Sequence, residues 1–115
     1  MNHMQYMYKD QCLTDIWYDL KTRSVKIQQN VIRRLETPFQ WGNPTFEELE
    51  TFVSSRCLPA TRYNIKECLA ILGLQEYNIW EIIAKTHGVM MHSWCWFRFD
   101  TDPEGYNAVE EVHPW

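Results

Sequence analysis

The sequence predicts a small single-domain α+β fold in which an antiparallel sheet of three or four strands packs on three short helices. Three observations support this prediction. Apolar and polar residues alternate near the N-terminus, apolar residues recur at helical spacing in the middle of the chain, and an aromatic run follows them. The chain has 115 residues, of which 45% are apolar and 23% are charged, and these values fit one globular domain.

The N-terminal part of the chain predicts a strand meander over residues 4–30. Within residues 24–29, Val25 and Ile27 would face one way and their polar neighbours the other, which is typical of a half-buried strand. Two earlier segments with aromatic residues predict two further strands. The run at residues 94–99 is also rich in aromatic side chains, which favour strands, and its return to this sheet would supply a fourth strand.

The middle of the chain predicts three short helices, at about residues 45–56, 64–72 and 78–87. Thr45 and Glu48 have the spacing of a capping box at the start of the first helix. The pattern Asn-Ile-x-Glu then occurs twice, beginning at Asn64 and at Asn78. Asparagine can cap a helix start, and each copy continues to a glycine that can end the helix in a left-handed conformation.

Two segments carry aromatic residues that are hard to bury in one core. Residues 36–44 contain two prolines and a glycine, which predicts a loop, and this loop carries Phe39 and Trp41. Residues 101–115 are rich in proline, glycine and acids, and predict a loosely held acidic tail after a domain at residues 1–100. Trp41 either folds back over the core or stays exposed as a binding hot spot. The predicted partner-binding residues are Phe39, Trp41, Asp100, Asp102, Glu104, Tyr106, Glu110, Glu111 and Trp115.

Charge is distributed unevenly along a chain whose net charge is −4. Residues 21–35 contain five bases and no acid, whereas residues 100–111 contain five acids and no base. A basic strand beside aromatic residues can follow phosphates, although the acidic overall charge is unusual for a nucleic-acid-binding protein. The basic stretch is therefore either a solvated strand face or a nucleic-acid site, and its residues are Lys21, Arg23, Lys26, Arg33 and Arg34.

The sequence predicts neither a metal site nor a cofactor nor an enzyme. His87, His92 and Cys95 lie near one another in the chain, but they lack the paired spacings of zinc ligands, and His87 is better explained as a residue at a helix C-terminus. Nothing organises Cys95 as a nucleophile with His92 or His113. Four cysteines without a CxxC pair, no secretion signal and no membrane-spanning run predict a cytoplasmic protein with reduced thiols.

A set of motifs in the second half of the chain resembles a known protein module. The motif residues are Arg56, Pro59, Arg62, Asn64, Leu72-Gly73-Leu74, Tyr77-Asn78-Ile79, Thr86-His87-Gly88 and Trp96-Phe97-Arg98. On these residues, the stretch Phe52–Phe99 is similar to the small N-terminal module of HipA-like serine/threonine kinases and to free-standing short relatives on Firmicutes mobile elements. Ser93 stands where the pattern has an aspartate, and Tyr77-Asn78-Ile79 stands where it has Tyr-Asp-Pro.

The resemblance implies a regulatory role and not a catalytic one. In HipA-like kinases the module accompanies the kinase core, and split relatives encode it as a separate protein that restrains the kinase like an antitoxin. The chain has no glycine-rich phosphate loop, no catalytic Asp with a following Asn and no Asp-Phe-Gly, which excludes kinase activity of its own.

The predicted function is therefore a non-catalytic regulatory protein that binds a larger protein. A short, acidic and aromatic-rich chain fits a phage or mobile-element inhibitor of host defence, such as an anti-CRISPR protein that acts on a Cas effector by charge mimicry. One alternative is an antitoxin-like partner of a HipA-like kinase. Another is a nucleic-acid-binding regulator that uses the basic stretch.

Overall fold

Four antiparallel strands form one sheet in the computed structural model, which describes residues 1–111. The strands are β1 (Asn2–Tyr8), β2 (Gln11–Asp19), β3 (Ser24–Gln29) and β4 (Cys95–Phe99). Their order across the sheet is β3-β2-β1-β4, so the N-terminal meander is extended by the late strand, which pairs with β1. The predicted α+β class is confirmed. The sheet has four strands, the larger of the two predicted numbers.

Three helices pack on one face of this sheet, at the predicted places. They are α1 (Phe46–Ser55), α2 (Ile65–Ile71) and α3 (Ile79–Thr86), and a short fourth helix that was not predicted, α4 (Ala108–Glu111), follows later in the chain. None of the helices formed by residues 1–111 has the length and apolar character that a membrane crossing requires.

The helix starts agree with two of the three predicted caps. At α1, the Glu48 backbone N–H donates to Thr45 Oγ1 at 3.2 Å and the Thr45 N–H donates to Glu48 Oε1 at 3.0 Å, which is a complete capping box. At α3, Asn78 Oδ1 accepts from the N–H of Trp80 at 2.9 Å and of Glu81 at 3.2 Å. The prediction for Asn64 was wrong, because its side chain makes no cap hydrogen bond.

The end of α2 is closed by two backbone hydrogen bonds. The Leu74 N–H donates to the Leu69 carbonyl at 2.8 Å and the Gly73 N–H donates to the Ala70 carbonyl at 3.0 Å, which together form a Schellman motif. Gly73 has φ +77°, the left-handed conformation that this motif needs and that glycine adopts without strain. The glycine that the sequence places after the helix therefore ends it as predicted.

The main core lies between the sheet and the helices. Met4, Ile16 and Phe97 are fully buried on the inner face of the sheet, against Leu49 of α1 and Ile82 of α3. An extra residue in β2, Leu13, lies opposite the step from Tyr6 to Met7, and this bulge lets Leu13 be buried as well as its neighbour Thr14. The remaining buried members of this core include Tyr6, Tyr18, Phe46, Val53, Leu58, Cys68, Leu69 and Ile83.

A second, smaller cluster lies on the opposite face of the sheet. It consists of Met7, Val89, Trp96 and Ala108. Trp96 is fully buried, and its indole N–H donates to the Lys9 carbonyl at 2.7 Å. Strand β4 therefore buries Cys95 and Phe97 on the helix side and Trp96 on the outer side, so that it needs cover on both faces.

Residues 101–111 supply that cover and do not form the loosely held tail predicted for this segment. Asp102 Oδ2 accepts from the Phe99 N–H at 2.9 Å, which folds the chain back sharply after β4. Arg98 then donates to the Pro103 carbonyl at 3.0 Å, and Ala108 of α4 is fully buried beside Trp96. The composition of residues 101–115 predicts a loose tail. Residues 101–111 instead pack over Trp96, because this removes its large apolar side chain from water.

At each edge of the sheet, a strand N–H donates to another part of the chain. At the β3 edge, the Ile27 N–H donates to Asn43 Oδ1 at 3.0 Å. At the β4 edge, the Phe97 N–H donates to the His87 carbonyl at 2.7 Å. The close approach at this second edge depends on Gly88, because a Cβ there would lie 2.6 Å from the Phe97 ring. Covered edges of this kind protect a sheet from pairing with other chains.

Candidate protein-binding site

The loop between β3 and α1, residues 31–44, has an ordered backbone and is named here the Trp41 loop. Gln29, at the end of β3, donates through Nε2 to the carbonyls of Pro38 at 2.9 Å and Phe39 at 3.0 Å. Within the loop, the Arg33 N–H donates to Thr37 Oγ1 at 2.7 Å, and Gln40 Nε2 donates to the Arg34 carbonyl at 2.8 Å. Side-chain amides and a hydroxyl therefore hold the loop, which has no regular secondary structure.

Phe39 anchors this loop to the core. Its side chain is partly buried and meets the Phe52 ring edge-on, with ring centroids 5.3 Å apart. Phe39 also has φ +57°, a left-handed conformation that is unusual for a bulky residue and that turns the chain at this point. The Phe39 side chain thus points from the loop into the core, whereas the sequence predicts it as a contact for a partner.

Three large apolar side chains point away from the core on the same loop. Trp41 is 98% exposed, Leu35 is 91% exposed and Ile32 is 61% exposed. These three side chains are named here the Trp41 surface. Of the two arrangements that the sequence left open for Trp41, the structure shows the exposed one. Leu35 and Ile32 are not among the predicted binding residues, because they flank the Arg33-Arg34 pair and the pattern there indicates only a basic stretch.

The predicted basic residues do not share one surface. Arg23 bonds to Glu50 Oε1 at 2.8 Å, and its guanidinium lies 4.7 Å from the centre of the Phe46 ring on the helix side. Lys26 lies opposite Trp17 in the β2–β3 register, on the outer face of the sheet. Arg33 packs on the Tyr8 ring at 3.8 Å and pairs with Glu36 at 3.6 Å, whereas Lys21 and Arg34 are exposed. A continuous track for phosphates is therefore not formed by these five side chains.

The predicted acidic residues are also divided between structural and exposed positions. Asp102 is tied to His87 Nε2 at 3.0 Å, and Tyr106 packs against the rings of His87 and Trp96. Asp100 receives a hydrogen bond from His3 Nδ1 at 2.7 Å. Glu104 and Glu110 are exposed, whereas the Glu111 side chain and Trp115 lie outside the described residues.

The thiols of the described residues are poorly suited to nucleophilic chemistry. All four cysteines are free, and Cys95 is buried in the main core. Burial raises the pKa of Cys57 to about 12, and burial together with the charge of Asp15 raises the pKa of Cys12. A raised pKa removes the reactive thiolate at neutral pH. Within residues 1–111, no group of three histidine, cysteine, aspartate or glutamate side chains is arranged to hold a metal ion.

The two departures from the HipA-like pattern have clear structural consequences. Ser93 accepts a hydrogen bond from Arg56 Nη2 at 3.2 Å, so it binds an arginine of the pattern. The same guanidinium donates to the Gly88 carbonyl at 3.0 Å and to the Cys95 carbonyl at 2.8 Å. Asn78, the second departure, caps α3 as described above. Arg56 and Ser93 therefore stabilise the start of β4, and Asn78 stabilises the start of α3.

Comparisons of the chain with protein-family models, with curated proteins and with solved structures find no match. The resemblance to the HipA-like module stays a prediction that rests on residues 52–99.

Proposed function

We propose that this chain is a non-catalytic regulatory protein that binds a larger protein through the Trp41 surface. The observation that carries the proposal is the 98% exposure of Trp41 on a loop whose backbone is hydrogen-bonded to the side chains of Gln29, Thr37 and Gln40. A tryptophan left in water on an ordered loop contributes little to folding. Tryptophan is, however, among the residues that dominate protein interfaces.

The geometry favours binding for an energetic reason. An aromatic side chain buries about 150–250 Å², which at about 25 cal/mol per Å² corresponds to about 4–6 kcal/mol of favourable transfer energy. Loop ordering normally opposes such a gain when a partner binds. Because the Trp41 loop is already held in place by Gln29 and Phe39, this cost is reduced. Leu35 and Ile32 would extend the apolar contact.

Within this class, we propose an inhibitor of host defence, such as an anti-CRISPR-like protein, as the specific role. The net charge of −4 and the exposed carboxylates of Glu104 and Glu110 support contact with a partner that carries a basic surface. An antitoxin-like partner of a HipA-like kinase is the second candidate, supported by the resemblance of residues 52–99. The two candidates differ in the protein that they bind.

The test is affinity capture from a host lysate with the tagged chain, with and without nuclease, followed by mass spectrometry. The wild type is compared with Trp41→Ala and with Tyr63→Ala, because Tyr63 is 96% exposed but lies outside the Trp41 loop. We expect one abundant nuclease-resistant partner that is lost with Trp41→Ala and kept with Tyr63→Ala. The identity of that partner separates a Cas effector from a HipA-like kinase.

Two results would contradict the proposal. Equal capture by the wild type and Trp41→Ala would show that the Trp41 surface is not the contact. Capture that disappears with nuclease, and that is weakened by Arg33→Ala and Arg34→Ala, would instead support the nucleic-acid alternative.

A further inference from the structure

Two adjoining cavities lie where residues 89–94 meet α4, and together they are named here the Trp94 groove. The first, of about 430 Å³, has a mostly apolar lining made by Val89, Met90, His92, Ser93, Trp94 and Val109. The second, of about 380 Å³, shares Trp94 and Val109 and is otherwise lined by Lys9, Asp10, Asn107 and Glu110. The groove thus joins an apolar recess to a charged one, and it shares no residue with the Trp41 surface.

The charged recess of the Trp94 groove has an excess of carboxylates. Asp10 and Glu110 are exposed, and neither forms an ion pair within residues 1–111. The lysine of the lining, Lys9, holds its ammonium 5.1 Å from the centre of the Trp94 ring and 5.7 Å from that of the Tyr8 ring. Because the ammonium lies on these aromatic faces, the two carboxylates stay available to a further cation beside the apolar recess.

The loop that carries the Trp41 surface offers the opposite combination. Arg34 and Leu35 form the tip of a turn that two backbone N–H groups close on the Arg33 carbonyl, at 3.0 and 2.8 Å. Gln40 Nε2 donates to the Arg34 carbonyl at 2.8 Å, which holds the segment next to Trp41 against this tip. The Arg34 side chain is exposed and has no ion pair within residues 1–111, whereas Arg33 has an acidic partner at 3.6 Å. Large apolar side chains and an unpaired guanidinium therefore project from one loop.

The Trp41 loop and the Trp94 groove adjoin each other at the end of the sheet where β1 turns into β2. Arg33 of the loop packs on the Tyr8 ring at 3.8 Å, and the Lys9 ammonium lies over both that ring and the Trp94 ring. Two complementary patches that adjoin on one protomer can both be used across a two-fold axis, because each protomer then offers its projection to the groove of the other.

We propose that the chain forms a two-fold dimer in which the Trp41 surface of each protomer enters the Trp94 groove of the other. Trp41 fills the apolar recess, whose volume is within the range of about 300–1,000 Å³ typical of cavities that bury a ligand, and Arg34 pairs with Asp10 and Glu110. The dimer would cover the Trp41 surface, so that self-association would compete with a larger protein for it. That competition rests on the proposed function, whereas the dimer does not.

The test is analytical ultracentrifugation of the isolated chain over a range of protein concentrations. We expect a weak monomer–dimer equilibrium, because the contact area is small, and we expect added salt to weaken it further. Trp41→Ala and Arg34→Glu should each weaken the dimer by at least about tenfold. Tyr63→Ala should not, since it removes an exposed aromatic residue that belongs to neither surface. Combining Arg34→Glu with Glu110→Arg should recover part of the lost affinity, because it exchanges the two charges.

Several results would overturn the proposal. They are a monomer at every concentration, a dimer of unchanged strength in Trp41→Ala or Arg34→Glu, and growth into larger species, which would exclude two-fold closure. No recovery in the double variant would show that Arg34 does not face Glu110. Because ultracentrifugation uses the chain alone, its result is independent of partner capture. A dimer together with equal capture by the wild type and Trp41→Ala would support this inference and remove only the proposed function.

Discussion

Two tryptophans of this chain have opposite environments. Trp96 lies on the outer face of β4, is fully buried, and has its indole N–H bonded to the Lys9 carbonyl. Trp41 lies on the loop before α1 and is 98% exposed, although hydrogen bonds from Gln29 and Gln40 hold the backbone of that loop. The same type of side chain therefore stabilises the fold at position 96 and is available for binding at position 41.

The difference between the two regions arises from what lies next to each tryptophan. β4 carries large apolar side chains on both faces, and residues 101–111 fold back over Trp96 and bury Ala108 against it. In the Trp41 loop, Phe39 takes the place against the core and leaves Trp41 outside. Trp41 is thus exposed on an ordered loop because Phe39, and not Trp41, packs against the core.

The largest effect is expected from removing the buried tryptophan. Trp96→Ala should reduce the free energy of unfolding by about 3–5 kcal/mol, because a large fully buried side chain and its hydrogen bond are lost. Trp94→Ala is the matched control, since Trp94 lies two residues earlier and is 55% exposed, and it should cost less than about 1 kcal/mol. Urea unfolding measures both. Equal losses would mean that residues 101–111 do not shield Trp96 from water.

A somewhat smaller effect is expected at the β4 edge. Arg56→Ala should cost about 2–4 kcal/mol, because it leaves the Gly88 and Cys95 carbonyls without their donor. Arg56→Lys should recover only part of this loss, since an ammonium group cannot reach several acceptors with the fixed fork of a guanidinium. Chemical denaturation of the two variants checks the prediction. Full recovery with lysine would show that charge alone is needed there.

Most of the fold could be predicted from the sequence because its signals are local. Alternation in β3 and caps such as Thr45 and Asn78 located the elements to within one or two residues. Asn64 failed as a cap although it shares its motif with Asn78, because its backbone does not adopt the extended conformation that directs the side chain onto the helix start. Capping motifs indicate a helix more reliably than they indicate its hydrogen bonds.

The candidate site was less predictable because it depends on long-range packing. Trp41 and Phe39 are two residues apart, and Phe39 is the one that packs against Phe52, which is distant in the sequence, while Trp41 stays exposed. The fold-back of residues 101–111 could have been inferred from the apolar run through Trp96, which implies that both faces of β4 are covered. The pairing of His3 with Asp100, 97 residues apart, has no local signal.

A smaller, pH-dependent effect is expected on the polar part of the outer face. Burial opposes the charged form of His3, but its hydrogen bonds to Asp100 and Asp15, both at 2.7 Å, outweigh this, so that the pKa of His3 is raised. Because the folded-state pKa lies above the unfolded value, His3 stabilises the fold fully below about pH 6.5, and this contribution is lost as the pH rises through the folded pKa. His3→Gln should therefore destabilise the chain by up to about 1 kcal/mol at pH 5.5 and by less at pH 8.5.

The measurement is the difference in unfolding free energy between the wild type and His3→Gln at the two pH values, in which the other titrating groups cancel. A difference that is equal at both pH values, or larger at pH 8.5, would show that protonated His3 does not tie β1 to Asp15 and Asp100.

The smallest effect on stability, and the largest on binding, is expected at Trp41. Trp41→Ala should change the free energy of unfolding by no more than about 0.5 kcal/mol, because the side chain is already in water. Leu35→Ala, on the same surface, should behave in the same way. Binding should fall sharply for both, since each removes apolar area from the proposed contact.

The most direct test is therefore partner capture by Trp41→Ala at a concentration of folded protein matched to the wild type by urea unfolding. The structure predicts an unchanged unfolding transition and the loss of the captured partner. A lower unfolding midpoint would place Trp41 in the fold, and undiminished capture would remove the Trp41 surface from the function; either result would contradict the proposed separation of folding and binding residues.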